Sequence, residues 1–159
     1  MRRKDREITD REEILAVMHE CDVCRIALND TDGIPYIVPL NFGMETCEDG
    51  TIRLYFHSAT EGKKLDLIGR DPRAAFEMDC RHELKYDADK CRCTMYYASV
   101  EGRGRIHILS EEEKAAALEM LMAHYYPGTD QVPFDPAAIP RTCVYCLTVE
   151  EISGKTNIK

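Results

Sequence analysis

The segment covering residues 34–64 constrains the fold more than any other part of this chain. Two apolar runs, 35–42 and 52–58, flank a turn-rich stretch, and the sequence Gly62-Lys63-Lys64 follows the second run. This pattern predicts a strand, a hairpin, a second strand and then the start of a helix. Two lysines in the first turn of a helix, beside unpaired backbone N–H groups, favour an anionic ligand. The sequence therefore predicts a site for a phosphorylated molecule, with two ordinary solvated lysines as the alternative.

Length and charge restrict the class of protein. A chain of 159 residues is long enough for one domain, spanning residues 1–159, with a sizeable core. Its 29 acidic residues exceed its 21 basic residues, which gives a net charge of −8 and argues against binding to nucleic acid or to an anionic membrane. No apolar run reaches transmembrane length, and none follows the basic start at residues 1–7. We therefore expect a cytoplasmic protein.

The apolar periodicities and turn signals predict six strands and three helices. Helices are predicted near residues 10–21, 61–68 and 110–125, the third opening with a capping box between Ser110 and Glu113. Strands are predicted at residues 23–28, 34–44, 51–58, 74–80, 95–109 and 142–152, and loops at 81–90 and 126–141. Gly102 and Gly104 indicate a bulge or a sharp bend. This arrangement predicts a small antiparallel barrel with helices at its rims.

Two predicted strands carry features that bear on function. Pro35 and Pro39 each lack a backbone N–H, so their strand is expected at a sheet edge or in a bulged segment. In residues 51–58 the apolar side chains alternate with polar ones, which predicts a core face and an opposite face that carries His57.

Eight cysteines are too few for a disulfide-built secreted scaffold, and we interpret them as mostly free thiols. The two Cys-x-x-Cys pairs raise the alternative of a four-thiolate zinc site. Cys143 and Cys146 lie within a predicted strand, where their odd separation places them on opposite faces. We therefore predict no metal site.

Several segments, in order and spacing, resemble the pyridoxamine 5'-phosphate oxidase-like FMN-binding split-barrel family, and within it the nitroimidazole-resistance branch. The resemblance covers nearly the whole chain and is most specific in these segments: residues 1–7, residues 35–42, residues 55–59 with Gly62-Lys63-Lys64, Ser99-Val100 before Gly102, and Gly154-Lys155. It implies a mainly β fold with helices, a six-stranded antiparallel split β-barrel of Greek-key type. It also implies FMN bound at the interface of a homodimer.

The same resemblance assigns cofactor-binding positions. The backbone of one strand would face the isoalloxazine ring, the end of the next strand would face ring and ribityl chain, and a basic pair would bind the phosphate, with a serine as a further candidate. The residues facing the isoalloxazine ring would be Val38, Pro39, Leu40 and Asn41, and those facing ring and ribityl chain would be Phe56, His57 and Ser58. The basic pair is Lys63 and Lys64, and the serine is Ser99. His57 is also the candidate catalytic residue, as a proton donor, with a structural histidine bonded to a backbone carbonyl as the alternative.

The chain departs from the oxidase where that enzyme carries basic residues, since it has Tyr36 and Asn41 there. Pyridoxamine phosphate is therefore not the expected substrate. We expect an FMN-dependent oxidoreductase that takes electrons from a donor such as a nicotinamide and reduces a small nitroaromatic or other electrophile. The alternative is a flavin-binding redox sensor or carrier without turnover, for which the many thiols are the motive. Haem or a deazaflavin as the ligand also stays open at this stage.

Overall fold

The computed structural model describes residues 3–126, 128 and 135–158, and it shows eight strands and three α-helices. The strands are β1 (Glu7–Ile8), β2 (Cys24–Asn29), β3 (Pro35–Leu40), β4 (Gly43–Thr46), β5 (Ile52–Ala59), β6 (Arg73–Asp87), β7 (Arg92–Ile108) and β8 (Thr142–Thr156). The helices are α1 (Arg11–Glu20), α2 (Lys63–Arg70) and α3 (Glu111–Tyr125), with short 3-10 turns at Lys4–Arg6 and Pro136–Arg141.

All strand pairs are antiparallel, and the sheet follows the order β3-β2-β6-β7-β8-β5-β4, with β1 paired to β8. The sheet curls around one buried apolar core and does not pair its first strand with its last among the described residues. The fold is thus a split β-barrel with helices, as predicted. Its gap lies between β3 and the end of β5, because β4 pairs with β5 only as far as Tyr55.

The helices close the barrel in different ways. Helix α1 begins after Asp10, whose carboxylate accepts a hydrogen bond from the Glu12 amide at 3.0 Å, and it buries its apolar face in the main core. Helix α3 begins with the predicted capping box and covers the outside of β4 and β5. It approaches so closely that a Cβ atom on Gly43 would lie 2.5 Å from backbone atoms of Leu121. A side chain at position 43 is therefore incompatible with this packing.

Three strand predictions need correction. Residues 34–44 form two strands, because the buried Phe42 gives its backbone N–H to the Tyr125 hydroxyl at 3.0 Å instead of to a neighbouring strand. Residues 81–87, predicted as a loop, continue β6 because apolar and charged residues alternate there. The division of residues 34–44 and the short strand β1 together raise the count from six to eight.

Other predictions are confirmed. Strand β3 lies at an end of the sheet order, as the two prolines predicted. The register of β7 against β8 shifts between Arg103 and Gly104, at the predicted bend. The predicted loop 126–141 lies largely outside the described residues, and its described end is the 3-10 turn Pro136–Arg141.

The cysteines are free thiols, and no group of three or more His, Cys, Asp and Glu side chains among the described residues is placed to hold a metal. Cys143 packs in the main core whereas Cys146 packs beneath α3, so the two lie on opposite faces of β8 as predicted. No helix in the described part of the chain is long and apolar enough to span a bilayer.

Candidate flavin site at the barrel split

The barrel split is bordered by two open backbone edges. On one side, β3 pairs only with β2 among the described residues. On the other side, residues 56–59 of β5 pair with β8 but extend past the end of β4. The predicted positions Val38 to Leu40 therefore face the predicted positions Phe56 to Ser58 from opposite borders of one gap. Unpaired strand edges offer backbone donors and acceptors to a ligand.

Helix α2 starts at this split, and three residues, 60–62, separate it from the end of β5. Its N-cap is Gly62, which has a φ of +131° and carries no side chain to accept a hydrogen bond. The Leu65 and Asp66 amides bond to the Gly62 carbonyl, at 2.9 and 3.3 Å. The amides of the first two helical residues point away from the helix, as in any helix start, and the positive end of the helix dipole lies beside them. The helix start therefore suits an anion.

Lys63 does not point to a free anion position. Its Nζ lies 2.5 Å from Oδ2 of Asp30, and it sits 5.0 Å from the centre of the Tyr36 ring. The ion pair with Asp30 raises the pKa of Lys63. Lys63 thus ties α2 to the β2–β3 hairpin. Sequence analysis missed this pairing because Asp30 is 33 positions away and no local spacing marks it.

Lys64 occupies a different environment, on the side of β5. The side chain is half-buried, and burial lowers the pKa of its ammonium group. The pKa of His57 is lowered, first because the protein around the imidazole ring shields it from water. The positive charge of Lys64, which lies nearby, lowers it further. Lys64 disfavours a positive charge on His57, and an anion placed between them would stabilise the charged form of both groups. His57 and Lys64, which were predicted separately as the catalytic candidate and as half of the basic pair, therefore lie near each other.

Ser58 and Tyr145 lie next to His57 on the same stretch of paired strands. Ser58 is paired in register with Cys143, and its hydroxyl donates to the Ala59 carbonyl at 2.8 Å. The Tyr145 hydroxyl is buried and has no hydrogen-bond partner among the described residues. The Tyr145 ring stacks on Phe56 with 5.7 Å between ring centres. Phe56 is fully buried, so of the three predicted positions at this strand end only His57 and Ser58 expose atoms to a ligand.

The remaining predicted cofactor-binding residues lie in or directly after β3 and, in the case of Ser99, on β7. Val38 and Leu40 turn partly inward against the core, whereas Pro39 and Asn41 are exposed. Ser99 lies on the outer face of β7, paired with Asp79 and with Lys155. Twelve residues separate Lys155 from Cys143 along β8, a strand length of about 40 Å. Within one chain, Ser99 is therefore not brought to Ser58 and Lys64.

One buried charge was not singled out from the sequence. Lys114, in the first turn of α3, has a side chain only 7% exposed, and its Nζ lies 2.5 Å from Oε1 of Glu111. Its charge, together with that of Lys64, opposes the rise in the pKa of Cys143 that burial causes. The capping box predicts where α3 begins, but it does not predict that Lys114, three residues after Glu111, is a buried cation.

Comparisons with known proteins show the family and the fold of this chain. The family model described as pyridoxamine 5'-phosphate oxidase matches residues 10–156. A candidate 5-nitroimidazole antibiotic resistance protein from Bacteroides thetaiotaomicron is similar in structure, with a TM-score of 0.81 and 30% sequence identity, covering 94% of this chain and 86% of that one.

Two further solved structures share the fold at lower identity. The flavocytochrome Anf3 from Azotobacter vinelandii has a TM-score of 0.80 and 20% identity, covering 100% of this chain and 72% of the other. The FAD and haem binding protein from Mycobacterium smegmatis has a TM-score of 0.79 and 19% identity, covering 95% and 73%. Comparison with curated proteins gave no match. The family match over residues 10–156, supported by the 30% identical structure, shows that this chain belongs to the pyridoxamine 5'-phosphate oxidase family.

Proposed function

We propose that this protein is an FMN-dependent oxidoreductase that reduces small nitroaromatic or other electrophilic molecules. The observation that carries the proposal is the pairing of His57 with the half-buried Lys64 beside the open start of α2, at the border of the barrel split. Family membership supports a flavin as the ligand, and so do the names of two structural neighbours, a flavocytochrome and an FAD and haem binding protein.

The residues present fit a flavin mononucleotide. A terminal phosphate would be held by the Lys64 ammonium group and by the first amides of α2, where charge and dipole act together. The open strand edges, Val38 to Asn41 on one side and His57 with Ser58 on the other, would border the ring system. When bound, the flavin supplies the redox chemistry, since no side chain here carries a hydride.

His57 is the side chain placed to move a proton. It is exposed on β5, opposite the core face, and its lowered pKa makes it largely neutral near pH 7. A neutral imidazole can pass on a proton from solvent through its two nitrogens, and an adjacent anion raises its tendency to hold that proton. We assign His57 to proton delivery for the reduction of substrate.

The substrate is proposed to lack a phosphate group. Tyr36 contacts Lys63 through its ring, and Asn41 is uncharged, so neither gives a phosphorylated substrate a positive partner. The structural neighbour at 30% identity, a candidate 5-nitroimidazole resistance protein, makes a nitroheterocycle the first substrate to try. A nicotinamide nucleotide is the proposed electron donor.

A second copy of the chain is proposed to complete the site. The outer face of the sheet carries a groove of about 580 Å³ with a floor of small and apolar residues that include Ala27, Ile37 and Ala75. Ile37 is 61% exposed there. In the proposed homodimer, Ser99 of one copy would contribute to the site of the other, since the single chain does not bring Ser99 to Ser58 and Lys64.

Binding of phosphorylated and unphosphorylated flavins tests the proposal. Because the phosphate supplies much of the binding free energy in this account, apoprotein should bind FMN at least tenfold more tightly than riboflavin, measured by quenching of flavin fluorescence. Equal affinity for the two would contradict the phosphate site. FAD bound more tightly than FMN would replace the cofactor assignment while leaving the flavin.

A further inference from the structure

Two thiols meet where the end of α1 packs against β6, and neither belongs to the candidate flavin site. Cys21 follows the last residue of α1 and caps that helix. Cys80 packs against the core from the inward face of β6, directly before the register shift between Cys80 and Glu83. Both side chains approach one atom, because the Val17 carbonyl oxygen lies 3.1 Å from Sγ of Cys21 and 3.8 Å from Sγ of Cys80. The fold therefore brings together two sulfur atoms that are far apart in the sequence.

The end of α1 explains why both thiols converge on this carbonyl. The Cys21 N–H bonds to the Met18 carbonyl at 3.3 Å, so the Val17 carbonyl is one of the acceptors that a helix end leaves without an amide. A thiol is a weak donor, and here two thiols serve the same acceptor. The side chains of Cys21 and Cys80 also lie within hydrogen-bonding reach of each other. The two sulfurs are therefore neighbours and not merely on the same face.

An ion pair fastens the two chain segments that carry the thiols. Glu20 precedes Cys21 and Arg81 follows Cys80, and Nε of Arg81 donates to Oε2 of Glu20 at 2.7 Å. A second contact joins Nη2 of Arg81 to Oε1 of the same carboxylate. Two-point pairing is the strong geometry for a guanidinium and a carboxylate. It holds the end of α1 against β6 at the residues next to the two cysteines.

The two thiols differ in access and in acidity. Cys21 is 1% exposed, whereas Cys80 is partly exposed. Burial raises the pKa of both thiols, and the neighbouring Cys80 raises that of Cys21 further. For Cys80, the hydrogen bond to Cys21 and the charge of Arg81 oppose this rise in pKa, while the charge of Glu20 adds to it. Cys80 is therefore the thiol that ionises first and that a reagent in solvent can reach.

We propose that Cys80 and Cys21 form a dithiol redox site that reduces a small hydroperoxide, with Cys80 as the attacking thiol and Cys21 as the resolving thiol. This activity goes beyond the proposed flavin chemistry and does not depend on it. The oxidant is small because Cys80 is only partly exposed and lies beside the Glu20–Arg81 ion pair. The two thiols supply both electrons, and an external dithiol regenerates them.

The reaction involves the two thiols and one peroxide. The Cys80 sulfur attacks one peroxide oxygen, the O–O bond breaks, and the other oxygen leaves as water or an alcohol with the thiol proton. Cys80 is then a sulfenic acid. The Cys21 sulfur displaces the hydroxyl group from Cys80, which forms the S–S bond and releases water. Two thiols are thus oxidised to a disulfide by two electrons, and one peroxide is reduced by two electrons.

The helix end also makes the disulfide reversible. Once the S–S bond forms, neither sulfur carries a hydrogen, so the Val17 carbonyl loses both of its thiol donors. Val17 is fully buried, and a buried acceptor that loses its donors destabilises the oxidised state. A disulfide destabilised in this way is more easily reduced. We therefore expect a dithiol reductant to return the site to two thiols.

Mapping of the oxidised protein tests this site without any substitution. Reduced wild-type protein, freed of reductant, is treated with equimolar hydrogen peroxide, alkylated with N-ethylmaleimide and digested. Mass spectrometry should find the Cys21–Cys80 peptide pair about tenfold more abundant than any other disulfide-linked pair, and dithiothreitol should remove it. Cys91 and Cys93 are exposed and compete for the peroxide. Oxidation at those two residues, with Cys21 and Cys80 both alkylated, would overturn the proposal.

Substitutions separate the roles of the two thiols. Cys21→Ser should leave Cys80 as a sulfenic acid that dimedone captures, whereas Cys80→Ser should protect Cys21 from oxidation. Cys47→Ser is the matched control, because Cys47 is also partly exposed, and it should form the Cys21–Cys80 disulfide to the wild-type extent. Dimedone on Cys21 in Cys80→Ser would overturn the assignment of the attacking thiol. Sulfinic acid at Cys80 in wild type, with Cys21 still reduced, would overturn the dithiol site.

Discussion

The ammonium nitrogen of Lys63 lies 2.5 Å from a carboxylate oxygen of Asp30. This contact joins the start of α2 to the turn that precedes β3. Strand β3 borders one side of the barrel split. The contact also compensates the positive charge of Lys63 within the chain. The charge left for an anionic ligand at the helix start is therefore that of Lys64, with His57 beside it.

Lys64 and Lys63 should differ in their effect on flavin binding. Lys64→Gln should weaken FMN binding by at least tenfold, because no carboxylate among the described residues forms an ion pair with this half-buried ammonium group. Lys63→Gln should weaken it less than threefold, because Lys63 is already paired with Asp30. Fluorescence titration of each apoprotein measures both constants. Equal losses of affinity in the two variants would show that Lys63 and Lys64 contribute alike to flavin binding, contrary to this prediction.

His57 should affect turnover more than binding. His57→Ala should retain FMN within threefold of the wild-type affinity, yet lose at least nine-tenths of the nitroreductase rate, because proton delivery is its assigned role. Rates with a nitroheterocycle under saturating flavin provide the measurement. An unchanged rate would leave His57 with a structural role only.

The lowered pKa of His57 gives stability a predictable pH dependence. Its pKa in the folded protein lies below the ordinary value of about 6.5, so the unfolded chain takes up the proton first as the pH falls. The His57 contribution is therefore present above about pH 6.5 and is lost as the pH falls through the lower folded value. Denaturation at pH 7.5 and pH 5 should show a larger acid loss for wild type than for His57→Gln. An equal loss would contradict the lowered value.

The Tyr145 hydroxyl, which has no hydrogen-bond partner among the residues that the structure describes, makes a separate prediction about the core. A buried donor without a partner costs about 1–3 kcal/mol, so removing it should not destabilise the protein. Tyr145→Phe should match or exceed wild type in the free energy of unfolding of apoprotein, measured in urea. A loss above about 1 kcal/mol would show that the hydroxyl has a partner, and repeating the comparison with FMN bound would show whether the ligand provides one.

The packing of α3 on β4 predicts opposite effects for two glycine substitutions. Gly43→Ala should destabilise the protein by about 1–3 kcal/mol, because the new Cβ would lie 2.5 Å from the Leu121 backbone. Gly69→Ala in α2 meets nothing within 4 Å and should stabilise by about 0.5–1 kcal/mol through helix propensity. Thermal unfolding of the two variants compares them. A neutral Gly43→Ala would mean that α3 moves freely away from β4.

Local sequence patterns predicted most of the elements but not how they meet. The prolines placed β3 at an edge, and the odd spacing placed Cys143 and Cys146 on opposite faces, because both arguments concern one strand at a time. The break between β3 and β4 depends on Tyr125, far along the chain, accepting the Phe42 amide. No local pattern carries such a contact.

The candidate site shows the same limit. The charge pattern and the resemblance both indicated a basic helix start, and the structure brings Lys64 to His57 there. The diversion of Lys63 to Asp30, and the distance of Ser99 from Ser58 along β8, follow from tertiary pairing. The outward turn of Leu84 and Tyr86 depends on a one-residue bulge in β6 between Cys80 and Glu83, which reverses the inward–outward alternation of the side chains.

The most direct test of the account is a turnover assay followed in the visible spectrum. Purified protein saturated with FMN should show flavin absorption bands that bleach with NADH or NADPH and return when a nitroimidazole is added, with many equivalents of nicotinamide consumed per protein. Bleaching once, with no further consumption after the nitro compound is added, would contradict the enzyme and favour a redox sensor or carrier. A colourless protein that does not take up FMN would contradict the flavin site itself.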